Sequence, residues 1–451
     1  MVSLASLLVT LPPRWERPAA RRVAAFKPSP EWEGYRVGMA AARIAGAESI
    51  QVRPVGDAEI AVFVDVFEAA WGFDSAGEQR RRTGSDVAGE SPLGAYVGSE
   101  MAGTAMSFSM ELTVPGQVQL PMAGVSYVAV HPLQRRRGVM RALMRYQLDA
   151  LHAMGVPVAG LGASEAGIYG RFGYGPATWD SSWRLARGAA RRLADPDGGC
   201  GLEMVDAATA RDLFPAVHEG ARRSQVGDVR TYPSRWHDLI GDGAQRGKHF
   251  VACRDHEGRA SGYAIYRLER DDRYSAHGTV IVEHMVACTG AAYRSLWAYL
   301  SDLDLTDWVV ASGRPEHEPL RWALADSRKL IVTSVRDHLW VRLIDLAVAL
   351  SRRRYAAEGS LTLEVADSFC PWNEGRWLLE GGPDGAGCRP AAGPGGASVR
   401  LDAAALGSLF AGGTSVWHLA RAGRIEGDRM SLRRADQMFG PGMDPWCSTE
   451  F

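Results

Sequence analysis

The sequence predicts an α/β (α+β) protein made of two tandem mixed sheets flanked by helices, followed by a C-terminal α+β domain. Three observations carry that expectation. The chain has 451 residues, about three times a typical ~150-residue domain. From Ile50 onward, runs with strand periodicity or continuous apolarity alternate with segments of helical period. The same order of helix, strand meander and crossover helix then returns after residue 200. The expected units are 50–200, 201–335 and 336–451. Residues 1–49 are rich in Pro, Arg and Ala without sustained periodicity and read as a flexible extension or an early start codon.

In the first unit, "IQVRP" reads as a strand and "DAEIAVFVDVFEAAWGF" as an amphipathic helix. "LGAYVGS" and "GTAMSFSMELTVPG" read as strands, and the nearly continuous apolar run "GVSYVAV" as a buried central one. A helix follows, with Met140, Leu143, Met144, Leu148 and Leu151 at helical spacing and Gly155 as its stop, and then the strand "VPVAGL". The second unit holds the helix "ATARDLFPAVHEGARRS", three strands ending in "GTVIVEHMVAC", the helix "AAYRSLWAYLSDL" and the strand "DWVVAS". It repeats the first unit without an Arg-rich turn, as a duplication that lost cofactor binding would. The last segment begins near "DHLWVRLIDLAVALSRRRY" and contains the hairpin "LEVADSFCPWNEGRWLLEGG". A Gly/Pro/Ala stretch from Gly381 to Ser398 reads as a loop.

Composition removes several classes of function. Lys and Arg number 51 against 52 Asp and Glu, so no global attraction to nucleic acid or an anionic membrane is expected. No run approaches the ~20 apolar residues of a membrane-spanning helix. The cysteines Cys200, Cys253, Cys288, Cys370, Cys388 and Cys447 are scattered, a usage that fits a reducing cytoplasm and predicts no metal site. His131, His152 and His338 lack metal-ligand spacing and read as structural or surface residues.

The chemistry concentrates in "VAVHPLQRRRGVMRAL". A turn from Arg135 to Arg141, between a buried strand and an amphipathic helix, offers helix-start N–H groups and guanidinium groups to a pyrophosphate. Gly138 allows close approach; a solvated basic helix start is the plainer alternative. Together with "GASEAGIYGRFGYGPAT", this segment resembles the Eis (enhanced intracellular survival) family of acetyl-CoA-dependent N-acetyltransferases in the GNAT superfamily. The resemblance runs from about Ile50 to Phe451. It implies a catalytic GNAT domain over 50–200, a second GNAT-like domain without the cofactor motif, and a sterol-carrier-protein-like domain over 336–451.

The resemblance also implies roles. Val128, Ala129 and Val130 would bond the pantetheine arm of acetyl-CoA, and Arg136, Arg137, Gly138, Val139, Met140 and Arg141 would cradle its pyrophosphate. Ser164 and Glu165 would close that site. Tyr169 would be the general acid and the α-carboxylate of Phe451 the general base. Met140 stands where GNAT turns in general prefer Gly or Ala. In the tail "MDPWCSTEF", Trp446 and Phe451 are apolar anchors and Pro445 stiffens the approach. Glu450 would make the acceptor pocket acidic, and Tyr127, Trp71 and Phe73 are candidate walls, though each also suits core packing. The expected substrate is a cationic amine, aminoglycoside-like and acetylated at one or several positions. Protein lysine, or a non-catalytic lipid-binding carrier, is the alternative. A homo-hexamer is implied as well.

Overall fold

The computed structural model describes residues 42–44, 50–72, 74, 77–193, 200–241, 247–270, 277–393, 396–440 and 442–451. Phe73 lies outside the described residues. The first sheet is eight-stranded and opens with β1 (Ala42–Ile44), β2 (Ile50–Pro54), β3 (Leu93–Val97), β4 (Glu100–Val114), β5 (Val118–Val130) and β6 (Val158–Gly162). Helices α1 (Ile60–Trp71) and α2 (Glu78–Gly89) join β2 to β3, and α3 (Val139–Ala153) crosses from β5 to the parallel β6. The apolar stripe of α3 buries Val139, Leu143, Met144, Leu148 and Leu151 against the sheet. Burial of that stripe, more than helix propensity, holds such a helix in place.

A second, seven-stranded sheet repeats the plan with strands Gly201–Val205, Lys248–Arg254, Ala260–Arg270, Gly278–Ala287 and Trp308–Pro315. Its crossover helix is Gly290–Ser301, and Ala207–Arg222 covers the same sheet. The two sheets exchange strands. Trp179–Ala186 pairs with Trp308–Pro315 in the second sheet, whereas Leu339–Leu343 pairs with β6 in the first. The boundaries drawn at 200 and 335 therefore cut across both sheets, because strand periodicity does not say which sheet a strand joins. Residues 42–44, assigned to the extension, pair with β2 as an edge strand. The stretch from Gly381 to Ser398 carries the strand Ala386–Pro390, paired with Gly375–Gly381. Cys200 and Cys253 come together with Cα atoms 5.8 Å apart, a proximity that their separation in sequence concealed.

The third sheet has five strands and is backed by helices Ala403–Phe410, Val416–Arg421 and Arg429–Phe439. It shares one core with the first sheet, in which Met106, Phe108 and Leu343 are continuous with Leu361, Leu401, Phe410 and Phe439. Arg222, fully buried, ties the second unit to β4 through Glu111 at 2.8 Å, while Glu219 of its own helix holds the same guanidinium at 2.7 Å. Among the described residues no helix is long and apolar enough to cross a membrane.

The third domain docks through a backbone contact. A Cβ on Gly407 would sit 2.2 Å from the carbonyl oxygen of Val341, a strand residue of the first sheet. Backbone on both sides leaves little room to yield, so Gly407→Ala is expected to cost about 1–3 kcal/mol. Thermal denaturation checks this: Tm falls, and an unchanged Tm would show that the helix is free to shift.

Candidate active site

The site begins with a split in the first sheet. Strands β5 and β6 pair in parallel only over Met122↔Val158, Ala123↔Ala159 and Gly124↔Gly160, and beyond that point they separate. On its other side β5 is bulged, because Thr104 pairs with Ala129 and Met106 with Ser126, leaving Tyr127 and Val128 opposite Ala105. Tyr127 has φ 52°, a sparsely populated conformation for a side-chain-bearing residue, and its carbonyl accepts a 2.8 Å bond from the Thr104 hydroxyl. The bulge turns the unpaired edge of β5 toward the opening.

A cavity of about 750 Å³ fills the opening. Val128, Ala129 and Val130 of β5 form one wall, Ser164, Glu165 and Tyr169 the facing wall, and Arg135, Arg136, Gly138, Val139, Met140 and Arg141 the end. Arg136 and Gly138 have φ values of 63° and 90°, so the turn presents successive N–H groups on its concave side. Gly138 is the N-cap of α3 and has no side chain to occupy the helix-start N–H groups, which leaves them for an anion. Arg137 does not line the cavity; its guanidinium donates to Gln134 Oε1 at 2.5 Å. Trp71 also lines this cavity, not the acceptor side where it was expected. Tyr169 is 5% exposed, and burial raises its phenol above the ordinary range while the Ser164 hydroxyl pulls the other way.

A second cavity, of about 600 Å³, lies on the other side of the bulge. Ser126 and Tyr127 line it, followed along the strand by the residues that line the first cavity. Its walls include Phe67, Tyr127 and Tyr232, with Phe67 and Tyr127 ring centroids 4.8 Å apart. Glu68, Asp74, Glu450 and the terminal residue Phe451 line it beside Arg235; Glu68 is ion-paired with Arg80, and Glu450 lies 3.3 Å from Arg235 and 3.9 Å from Arg336. Burial pushes the Tyr232 phenol up to about 12. Glu68, Asp74, Tyr232 and Arg235 were not anticipated. Helix Pro233–Ile240, which positions Arg235, was announced by its N1 proline, whereas α2 is polar and weakly periodic.

The C-terminus enters this junction. The ring of Phe451 lies 3.2 Å from where a Cβ of Gly124 would stand, and its backbone oxygen 4.0 Å from where a Cβ of Gly162 would stand. Gly162, Ala163 and Phe451 share a small cavity, and the next two residues, Ser164 and Glu165, line the large one. Upstream, Trp446 Nε1 donates to Gly313 O at 2.9 Å, and Cys447 is buried. His338, read as structural or surface, is a buried tail contact. Its Nδ1 lies 3.3 Å from Asp180 Oδ2 and its Nε2 3.3 Å from the Thr449 carbonyl. Burial disfavours its charge, but Asp180 and Cys447 outweigh that and raise its pKa, consistent with an imidazolium donating from both nitrogens. Among the described residues no group of His, Cys, Asp and Glu is arranged to hold a metal ion.

Known proteins place this architecture. Two families described as Acetyltransferase (GNAT) domain match residues 51–177 and 229–343, and the Sterol carrier protein domain family matches residues 346–448. N-acetyltransferase Eis of Mycobacterium tuberculosis is 36% identical over 371 residues, covering 79% of this chain and 88% of that protein. An uncharacterised N-acetyltransferase of Streptomyces coelicolor is 37% identical over 360 residues, covering 77% and 86%. The crystal structure of Eis1 from Mycobacterium abscessus superposes with a TM-score of 0.76 at 32% identity, over 89% of this chain and 100% of that one. Two GNAT domains in tandem followed by a sterol carrier protein domain, with that identity and that superposition over most of the chain, settle its kinship: the chain belongs to the Eis family of GNAT-superfamily N-acetyltransferases.

Proposed function

We propose that this N-acetyltransferase moves the acetyl group of acetyl-CoA to primary amines of a polycationic small molecule, aminoglycoside-like in charge and size. The observation that supports this reading is that successive residues at the β5 bulge, Tyr127 and Val128, line two neighbouring cavities, one ending in the arginine turn and the other lined by carboxylates and aromatic rings. Acidic, aromatic walls attract ammonium groups through charge and cation–π contacts. A volume of about 600 Å³ exceeds the needs of a single lysine side chain and is ordinary for a drug-sized ligand.

In this reading Arg136, Arg141 and the N–H groups of the Gly138 turn hold the pyrophosphate, and the exposed edge of Val128, Ala129 and Val130 bonds the pantetheine arm. Acetyl-CoA supplies the thioester whose C–S bond breaks as the C–N bond forms. The α-carboxylate of Phe451 accepts the proton that leaves the attacking amine. Tyr169 donates its phenolic proton as the thiolate departs, which suits a phenol kept protonated by burial. Glu450 and Tyr127 orient the acceptor. The same resemblance supports a homo-hexamer working in the cytoplasm. Ile331, Val332 and Val335, exposed on the outermost strand Leu330–Asp337 of the second sheet, offer assembly an apolar edge.

Tyr169→Phe is expected to lower kcat by about 10²–10⁴-fold with KM for acetyl-CoA near its original value; an unchanged kcat returns Tyr169 to a packing role. Extending the chain by Gly-Ser turns the terminal carboxylate into a peptide carbonyl while keeping the Phe451 ring. Turnover in a thiol-release assay then disappears and acetyl-CoA binding stays; full turnover would remove the carboxylate from the mechanism. The same assay run on aminoglycosides and on a lysine peptide ranks the acceptors, and a preference for the peptide would overturn the small-molecule assignment.

A further inference from the structure

The second sheet contains the same split as the first. Gly278–Ala287 and Trp308–Pro315 pair in parallel from Thr279↔Trp308 to Val282↔Ala311 and then separate. Gly278–Ala287 is also bulged on its other side, at Glu283, between the pairs Tyr266↔Val282 and Ile265↔His284. Where the first split faces an uncapped helix start, here the Thr289 hydroxyl oxygen accepts the Ala292 N–H at 3.1 Å. The C-terminal tail enters the opening: the Trp446 indole bonds Gly313 O and lies under the Arg314 guanidinium, Ser448 O meets His284, and the tail and the strands line a cavity of about 300 Å³ between them.

Within that cleft one residue is held on every side. The Ser448 N–H donates to Asp228 Oδ1 at 2.9 Å, and its hydroxyl is 2.9 Å from Asp228 Oδ2 and 2.9 Å from His218 Nε2. Its carbonyl is 3.1 Å from His284 Nε2. These contacts fix the protons. The Ser448 hydroxyl gives its hydrogen to the carboxylate, so His218 Nε2 must be the donor to Ser448 Oγ. His284 Nε2 must donate to the carbonyl, with Nδ1 accepting from the Tyr263 hydroxyl at 2.9 Å. Burial holds both imidazoles neutral, lowering His218 and taking His284 to about 3.

Asp228 is itself tied to the catalytic sheet. Its carbonyl accepts the Thr113 N–H at 2.9 Å, the Gly227 N–H donates to Thr113 O at 2.8 Å, and Val229 bridges to Leu112. Thr113 and Leu112 belong to β4, the partner of the bulged β5. We infer that Asp228, acting through Ser448, is a positioning residue for the reaction: it transmits the frame of β4 to the tail and thereby sets where the carboxylate of Phe451 stands. Burial of Cys447 and partial burial of Trp446 secure the tail without specifying its register to a fraction of an ångström; four directed bonds on the residue three places from the terminus do.

The inference rests on the proposed role of the Phe451 carboxylate. Its test uses the full chain with Asp228→Asn and Ser448→Ala, beside the Gly-Ser-extended chain. Displacement of a reacting group by about 1 Å costs roughly 10²-fold, so kcat is expected to fall on that scale while KM for acetyl-CoA holds. Carboxypeptidase A is expected to release Phe451 faster from both variants than from the parent chain, which a purely structural role would not cause in a protein of unchanged Tm. Full turnover in both variants overturns the inference, as does lost turnover without faster release of Phe451, or a parallel loss of acetyl-CoA affinity. If Asp228→Asn lowers Tm, Ser448→Ala, which deletes one hydroxyl, decides the matter alone. Turnover by the extended chain refutes the carboxylate role itself; an inactive extended chain beside active variants refutes the latch only.

Discussion

The docking of the last six residues depends on the arrangement of the whole chain. Ordering a free end costs about 1–2 kcal/mol of backbone entropy per residue, and termini are ordinarily left frayed for that reason. Here the cost is offset by burial of Cys447, by the Trp446 indole held between Gly313 O and the Arg314 guanidinium, and by the bonds on Ser448. Each directed bond is worth about 1 kcal/mol net. The anchor points come from both sheets and the segment between them, so the terminus reaches its place only when all have assembled. The strand exchange between the sheets enforces the same dependence.

Duplication supplies the logic of this arrangement. Each sheet carries the same split and the same bulge beside it, but the two openings have different fates. In the first, a glycine N-cap and an arginine turn keep the helix start open toward an anion. In the second, Thr289 closes the helix start and the tail enters the gap, bonding Gly313 O and His284 beside a cavity of about 300 Å³. A cleft shaped to bond an extended chain along a strand edge accepts a peptide tail by the same physics. The third domain then delivers the tail, since its core is continuous with that of the first sheet.

Much of the first sheet was legible in the sequence because its signals are local. The continuous apolarity of "GVSYVAV", the helical spacing from Met140 to Leu151 and the glycine at position 138 each reflect a nearby physical requirement. The cavity walls at Val128 to Val130, Ser164, Glu165 and Tyr169 lie in two motifs, each contiguous in the chain, that carry the family resemblance. What escaped is nonlocal. The swap of Trp179–Ala186 for Leu339–Leu343 leaves no trace in periodicity, and neither does the meeting of Cys200 with Cys253. Trp71 was placed on the wrong side of the bulge because a helix position alone does not tell which cavity it faces. Asp228, His218 and His284 sit far apart in sequence with no shared spacing, and they gain meaning only around Ser448.

The two splits are thus asymmetric: one opens on the arginine turn, where acetyl-CoA is proposed to bind, and its twin is entered by the chain's own end. Calorimetric titration of the intact protein with acetyl-CoA measures that asymmetry directly. One bound equivalent per chain is predicted, lost on Gly138→Glu; two equivalents, or one that survives that substitution, would contradict it.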